Sequence, residues 1–245
     1  EPKFSSQLVT QALFFETLKV ISSNGDWLEV SQWDGYKGYV HSFYLSDNLI
    51  SQRNDFVVKD RFLSLYDSPD FSNLIMMAPF GARIPIIFNN DEYYMSESIN
   101  DKTYFFREEI SSSNDDIRSM IIKYSKKLIG SPYLWGGKTP FGYDCSGFVQ
   151  QVFKSLDISF QRDTSEQIKD NRMSSIDIES VNKGDILFFD MEGNGVDHVG
   201  IWYNKNHVIH CGGEVKIQSI NDDSHKELRE HIIDIKSIGN FLHEQ

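Results

Sequence analysis

Residues 142–148 read Gly-Tyr-Asp-Cys-Ser-Gly-Phe, a short turn that leads directly into a helical pattern. Beyond it, the apolar residues recur at helical spacing on one face: Phe148, Val149, Val152, Phe153 and Leu156. Asp144 is placed to cap a helix that begins near Cys145. A cysteine in the first turn faces unpaired backbone N–H groups and the positive end of the helix dipole, which favour the thiolate. The stretch predicts an activated nucleophile, although free cysteines are also common as small buried side chains.

Two histidines lie further along the chain in segments that alternate like β-strands. Residues 184–210 contain three strand patterns, and the last two are separated by a turn centred on Lys205. This turn places His210 opposite Gly200 and diagonal to His198, at about 7 Å on one face of the sheet. Cysteine catalysis needs one imidazole to take the thiol proton and a further group to fix its tautomer. The pattern therefore predicts His198 as the base and His210 as its orienter.

Composition and charge narrow the class of protein. The chain has 245 residues, 40% hydrophobic and 13% aromatic, which predicts two or three folded modules. Its net charge is -12 and no Lys/Arg face is visible, so a nucleic-acid partner is not expected. No run approaches the roughly 20 apolar residues of a membrane-spanning helix. Two cysteines exclude a disulfide framework. We expect a monomer without cofactor or metal.

The first 110 residues carry short aromatic and β-branched runs broken by Gly, Asn, Asp and Pro, a pattern typical of small antiparallel modules. Residues 15–30 resemble residues 80–95, because each segment joins an apolar strand to an aromatic strand through a turn. We therefore predict small β-barrels at 1–49 and 50–110, followed by a third domain at 111–245. The polar stretch 111–116 marks the last boundary, and apolar spacing predicts a helix from Ile117 that ends before Gly130.

The motifs of the third domain resemble those of the NlpC/P60 family of cysteine peptidases, over about residues 113 to 245. They occur in family order: Pro132-Tyr133-Leu134-Trp135-Gly136-Gly137, Asp144-Cys145-Ser146-Gly147-Phe148, Arg162-Asp163, Gly184-Asp185-Ile186-Leu187-Phe188-Phe189, His198-Val199-Gly200-Ile201 and Ile209-His210. The resemblance implies an α+β papain-like catalytic domain with a Cys145–His198 dyad completed by His210. It also implies that Tyr133, twelve residues before the cysteine, helps to hold the oxyanion or the substrate. Backbone N–H groups at the helix start would supply a further oxyanion donor.

The turn Trp33-Asp34-Gly35-Tyr36-Lys37-Gly38-Tyr39-Val40 is similar to the end of bacterial SH3-like (SH3b) modules. With it, the chain resembles γ-D-glutamyl-L-diamino acid endopeptidases of the dipeptidyl-peptidase VI type. These cleave the bond between D-γ-glutamate and meso-diaminopimelate or L-Lys in bacterial cell-wall stem peptides, and select short peptides with a free N-terminal L-Ala. The resemblance implies substrate-binding roles for Tyr36, Asp144 and Ser146, and for Thr164 or Ser165. We expect an exported, periplasmic or cell-envelope protein whose signal was removed, with a cytoplasmic location left open.

Three other interpretations stay open on the sequence. A cell-wall binding protein without activity would keep the SH3b modules and lose catalysis. A zinc site could use Cys145 with the two histidines, because cysteine and histidine are zinc ligands. An acyltransferase could share the same Cys–His chemistry and differ only in the acceptor. Cys211, after His210, is expected to be a packed strand residue.

Overall fold

The computed structural model describes residues 1–47, 50, 54–107, 115–221, 226–239 and 241. The chain forms two compact units, Glu1–Ser113 and Asn114–Gln245. The predicted boundary near residue 111 and most of the polar stretch around it lie outside the described residues, as do the residues flanking position 50. Among the described residues, no helix has both the length and the apolar character needed to cross a bilayer.

The N-terminal unit begins with a three-stranded antiparallel sheet. Its strands are β1 (Lys19–Asn24), β2 (Trp27–Ser31) and β3 (Lys37–His41), in the order β1-β2-β3, followed by a 3-10 turn at Ser42–Tyr44. Asn24 pairs with Trp27 across a tight turn, where Gly25 adopts a φ of 60° that side chains disfavour. The strand–turn–strand pattern predicted at residues 15–30 is confirmed as this hairpin.

A second sheet of six strands follows in the same unit. The strands are β4 (Asp55–Val57), β5 (Phe62–Tyr66), β6 (Leu74–Pro79), β7 (Arg83–Asn89), β8 (Tyr94–Ser96) and β9 (Phe105–Phe106), in the order β4-β7-β8-β9-β5-β6. The β7–β8 hairpin confirms the pattern predicted at residues 80–95. Leu13 and Phe15, which precede β1, are buried in the core of this second sheet with Leu65 and Ile84. The two predicted modules therefore share a core, and their division at residue 49 stays a prediction.

The C-terminal unit is a mixed helix and sheet domain. Its helices are α1 (Ile117–Lys127), α2 (Cys145–Lys154), α3 (Thr164–Gln167) and α4 (Lys226–Glu230), with a 3-10 turn at Ile178–Ser180. A short hairpin joins β10 (Lys138–Thr139) to β11 (Gly142–Tyr143). The main sheet contains β12 (Ser174–Ser175), β13 (Ile186–Phe189), β14 (His198–Asn204), β15 (His207–Gly212), β16 (Glu214–Ser219) and β17 (Ile232–Ser237). Its antiparallel strands run in the order β12-β17-β13-β14-β15-β16.

Helix α2 is the centre of this unit. All ten of its residues are buried, including Gln150, Gln151 and Lys154, and it packs on β14 and β15. The sequence predicted a buried apolar stripe, whereas the structure encloses the helix on every side. Because the helix begins at Cys145, the packing of the helix against the sheet also buries the thiol. The predicted helix from Ile117 is confirmed as α1, which Asp116 caps through the Ser119 amide at 2.9 Å.

The β14–β15 hairpin has the register that the turn at Lys205 predicts. Gly200 pairs with His210, and Ile201 pairs with Ile209. A bulge between Trp202 and Asn204 absorbs one residue near the turn. The hairpin therefore brings His198 and His210 to the same face of the sheet as diagonal neighbours.

Candidate active site

Cys145 is the first residue of α2 and lies at the end of a turn held by Asp144. The Asp144 side chain accepts a hydrogen bond from the backbone N–H of Gly147 at 2.6 Å, which confirms it as the N-cap. Its second oxygen accepts from the backbone N–H of Gly136 at 2.9 Å. The carboxylate thus joins the helix start to the preceding turn and fixes the backbone that carries the thiol.

Arg162 completes this arrangement from a distant part of the sequence. Its guanidinium donates to both oxygens of Asp144, at 2.9 and 2.5 Å, and to the Ser146 hydroxyl at 3.0 Å. The two charged side chains are only 2% and 9% exposed. Such a bidentate pair is both strong and directional. The predicted substrate residues Asp144 and Ser146 therefore lie together beside Cys145. A substrate amine would have to compete with Arg162 for the Asp144 carboxylate, and the amine-binding role of Asp144 stays a prediction.

The side chains of His198 and His210 are in direct contact. Nε2 of His198 lies 2.7 Å from Nδ1 of His210, with the rings nearly perpendicular. Two glycines leave the space for this contact. A Cβ on Gly212 would lie 2.8 Å from Cε1 of His210, and a Cβ on Gly200 would lie 2.5 Å from Val208. The predicted base and orienter are thus brought together by the strand register and by the small residues around the second ring.

The environment of the thiol differs from the one the helix start predicts. Cys145 Sγ lies 3.8 Å from the carbonyl oxygen of Asp197, to which it donates, and 4.0 Å from the hydroxyl of Thr164. Burial, and then the negative charge of Asp144, raises the pKa of the Cys145 thiol to about 11. Burial thus opposes the effect of the helix start on the pKa of the thiol. That Cys145 is an activated nucleophile stays a prediction.

His198 is neutral at physiological pH for a related reason. Burial, and then the positive charge of Lys216, lowers the pKa of His198 to about 4. A neutral imidazole has an unprotonated nitrogen that can accept a proton. Since Nε2 faces His210, Nδ1 is the ring nitrogen left for the thiol. Both pKa shifts favour the neutral forms of the thiol and of the imidazole in the resting site.

Tyr133 lies near Cys145 and Asp144, whose charges act on its hydroxyl. Its backbone N–H donates to the carbonyl of Gly213 at 2.7 Å, and it bridges to Tyr143 two residues before the cysteine. Its side chain is 39% exposed. Burial, followed by the charges of Cys145 and Asp144, raises the pKa of Tyr133 to about 12. The hydroxyl therefore keeps its proton and can donate a hydrogen bond, as an oxyanion donor must.

The other predicted residues lie in different surroundings. Thr164 is buried next to the thiol, whereas Ser165 is exposed in the first turn of α3, so the geometry favours Thr164 of the two. Tyr36 belongs to the N-terminal unit, where its backbone N–H donates to Asp34 at 3.0 Å, and its substrate role stays a prediction. Cys211 is fully buried and donates to the Tyr143 carbonyl at 3.2 Å, which confirms it as a packed strand residue.

Two residues of the site were given no role from the sequence. Arg162 was part of a quoted motif, but nothing local indicated that it pairs with Asp144. Gln218 was missed altogether, and its Oε1 lies 3.0 Å from Nε2 of His210. The Gly212-Gly213 pair could have revealed it, because a tight turn there sets β16 against β15. Among the described residues, no group of three or more His, Cys, Asp or Glu side chains is arranged to hold a metal ion.

A cysteine at the start of a buried helix, packed on a sheet that carries two hydrogen-bonded histidines, defines the class of cysteine-type peptidases with a papain-like layout. The comparison with known families agrees with this class. Residues 130–233 match the NlpC/P60 family, and residues 1–46 match the bacterial SH3 domain. The chain therefore contains an NlpC/P60 domain preceded by a bacterial SH3 domain, and the predicted fold class is confirmed.

Similar proteins are known from Bacillus. A gamma-D-glutamyl-L-lysine dipeptidyl-peptidase of Bacillus cereus is 27% identical over 227 residues, which cover 84% of this chain and 68% of that protein. A Bacillus subtilis protein of the same name is 27% identical over 229 residues, which cover 87% and 76%. The crystal structure of an NlpC/P60 family protein from Bacillus cereus has a TM-score of 0.80 at 25% identity, and the match covers 94% of this chain and 81% of that one.

Proposed function

We propose that this protein is a cysteine endopeptidase that hydrolyses the γ-D-glutamyl–diamino acid bond of bacterial cell-wall stem peptides. The observation that carries the proposal is the 2.7 Å contact between His198 and His210 beside a cysteine at a helix start. In this proposal Cys145 is the nucleophile, His198 the base and His210 the group that orients it. The names of the Bacillus relatives support the substrate class.

The reaction begins with transfer of the Cys145 proton to Nδ1 of His198. Because the thiol pKa is raised and the imidazole pKa is lowered, little ion pair exists at rest. The proton moves as sulfur attacks the γ-carbonyl of D-glutamate, so binding of the peptide and formation of the nucleophile are coupled. The new imidazolium is stabilised by its contact with His210.

Attack produces a tetrahedral intermediate whose oxygen carries a negative charge. The backbone N–H of Cys145 and the hydroxyl of Tyr133 are the donors proposed for this oxyanion. The C–N bond then breaks as His198 returns its proton to the departing amine, which leaves a thioester on Cys145. A water molecule, deprotonated by His198, attacks the thioester and releases the carboxylate product together with the free thiol.

The preference for short peptides with a free N-terminal amine is the finer part of the proposal. Asp144 and Ser146 lie next to the nucleophile, and a carboxylate near a groove can pair with an ammonium group. Asp144 already accepts from Arg162 and from two backbone N–H groups. An incoming amine would therefore meet a carboxylate whose position is fixed and whose charge is largely balanced. Tyr36 and Thr164 are the further substrate residues proposed.

Mass spectrometry of the full chain with L-Ala-γ-D-Glu-L-Lys and L-Ala-γ-D-Glu-meso-diaminopimelate tests the function directly. Release of L-Ala-γ-D-Glu and the free diamino acid is the expected result. Cys145→Ala should abolish release, and Cys211→Ala is the matched control that removes the other cysteine and keeps hydrolysis. Activity that survives Cys145→Ala contradicts the mechanism. The N-acetylated peptide tests the amine preference separately, since equal cleavage of both forms would remove it and leave the catalysis intact.

A further inference from the structure

Gln218 extends the line of contacts that begins at the thiol. Its amide oxygen Oε1 lies 3.0 Å from Nε2 of His210, on the side of that ring opposite the contact with His198. The pairing of β15 with β16 places Val208 opposite Gln218 and His210 opposite Lys216. Gln218 is therefore the diagonal neighbour of His210 on the same face of the sheet.

The proton positions along this line follow from what each atom can do. An amide oxygen only accepts hydrogen bonds, so Nε2 of His210 must carry the proton. In a neutral imidazole the other nitrogen is then unprotonated, and Nδ1 of His210 accepts from Nε2 of His198. His198 consequently holds its own proton on Nε2, which leaves Nδ1 free to accept the proton of the thiol. One acceptor at the far end thus sets the tautomer of both rings.

The opposite order of protons would prevent the reaction. If Nε2 of His210 accepted a hydrogen bond, Nδ1 would carry the proton and donate to Nε2 of His198. The proton of His198 would then lie on Nδ1, where the thiol proton must go. The tautomer of His210 therefore decides whether His198 can act as a base.

A hydrogen-bond donor near His210 makes the other tautomer of this ring a physical alternative. Lys216 is opposite His210 in the sheet and lines, with Gln218, Met191 and Leu228, a cavity of about 280 Å³ beside the two histidines. An ammonium group has three donors and no acceptor. Directed at Nε2 of His210, it would favour the tautomer that blocks His198. In the structure, the hydrogen-bond partner of that nitrogen is instead the amide oxygen of Gln218.

We propose that Gln218 is a positioning residue for catalysis, which acts through His210 to fix the tautomer of His198. The inference rests on the role that the proposed function gives to the two histidines. It adds a fourth residue to the line Cys145, His198 and His210. Gln218 does not contact the reacting atoms, and its effect is confined to where the ring protons lie.

Two variants separate the acceptor from the side chain. Gln218→Met keeps the length of the side chain and removes the amide oxygen, whereas Gln218→Glu keeps an acceptor and removes the donor. Ile217→Met is the matched control, because it places the same new side chain on the neighbouring position, which is 36% exposed on the opposite face of β16. Two-bond proton–nitrogen spectra of the full chain labelled with ¹⁵N-histidine report which ring nitrogens carry protons. Signals are assigned from their loss in His198→Gln and His210→Gln.

In the wild-type protein and in Gln218→Glu, both rings should carry the proton on Nε2. In Gln218→Met, His210 should show a substantial population protonated on Nδ1, and Ile217→Met should keep the wild-type pattern. A wild-type His210 protonated on Nδ1 would overturn the proposal. So would a Gln218→Met spectrum identical to that of the wild type.

The rate of alkylation of Cys145 by iodoacetamide at pH 7 gives the chemical consequence. It needs no substrate, so it does not depend on which peptide bond the enzyme cleaves. We expect Gln218→Met to react about tenfold more slowly than wild type and to lose about tenfold in kcat with little change in KM, because the pairing acts on proton transfer rather than on binding. Gln218→Glu should restore both rates. A tenfold loss in Gln218→Glu, or wild-type rates in Gln218→Met, would refute the role of Gln218 while leaving the proposed function untouched.

Discussion

Replacing Arg162 by Met should destabilise the C-terminal unit strongly, because the change leaves the carboxylate of Asp144 buried without its cation. The guanidinium makes three of the hydrogen bonds at this position, two to Asp144 and one to Ser146. The carboxylate then keeps the backbone N–H groups of Gly147 and Gly136 and the Ser146 hydroxyl, which donates to it at 3.3 Å. Breaking a buried ion pair by removing one partner costs about 3–5 kcal/mol.

Urea unfolding followed by circular dichroism measures this loss. With a slope of about 2 kcal/mol per molar urea, a cost of about 4 kcal/mol lowers the unfolding midpoint by about 2 M. Arg162→Lys keeps the charge but loses the bidentate hydrogen bonds to Asp144. Its urea unfolding midpoint should therefore lie between those of Arg162→Met and wild type. The slope should be the same in all variants, because the surface exposed on unfolding does not change.

The double variant Asp144→Asn with Arg162→Met separates lost charge from lost packing. Asparagine still caps a helix, and no charge is then left buried. We expect the double variant to recover at least half of the stability that Arg162→Met loses. A double variant no more stable than the single one, or a single variant that loses less than about 1 kcal/mol, would show that the buried charge is not the source of the effect.

Three further outcomes follow from the site. The value of kcat/KM should fall at acid pH with an apparent pKa of about 4, because His198 must be unprotonated to act and burial lowers its pKa to about 4. A fall in kcat/KM with an apparent pKa near 6.5, measured by steady-state kinetics, would contradict this. Gly212→Ala should lower kcat about 10²-fold with folding retained, because its Cβ would lie 2.8 Å from the His210 ring; wild-type turnover would show that the ring can move freely. Tyr133→Phe should lower kcat by at least tenfold without slowing alkylation of Cys145; equal losses in both assays would place Tyr133 in thiol activation instead.

The parts of the site that the sequence predicts are those set by local geometry. Strand alternation and a turn at Lys205 suffice to place His210 opposite Gly200, because register in a hairpin follows from the turn. In the same way, an Asp before a helical pattern predicts its own cap, as Asp144 does. These features depend on residues within about a dozen positions of one another.

The state of the thiol could not be predicted in this way. A helix start favours the thiolate, but Cys145 is only 7% exposed and lies beside the negative charge of Asp144. Which effect wins depends on burial, and burial depends on how the whole unit packs around α2. The sequence indicates the direction in which each effect shifts the pKa of the thiol, but not which effect is larger.

The pairing of Arg162 with Asp144 has a different origin, because tertiary structure brings these two segments of the chain together. No periodic pattern reveals such a contact, since Arg162 does not differ in the sequence from an ordinary surface residue. The contact of Gln218 with His210 depends instead on the register of the β15–β16 hairpin, which the Gly212-Gly213 turn could have indicated.

The protonated resting state of Cys145 also bears on how long the protein survives in an oxidising environment. Peroxides attack the thiolate rather than the thiol. Because burial raises the pKa of Cys145 to about 11, the thiol form dominates at pH 7. Sulfenic acid should therefore form far more slowly on Cys145 than on a cysteine kept as a thiolate at rest. Protonation of the resting thiol thus protects Cys145 against peroxide.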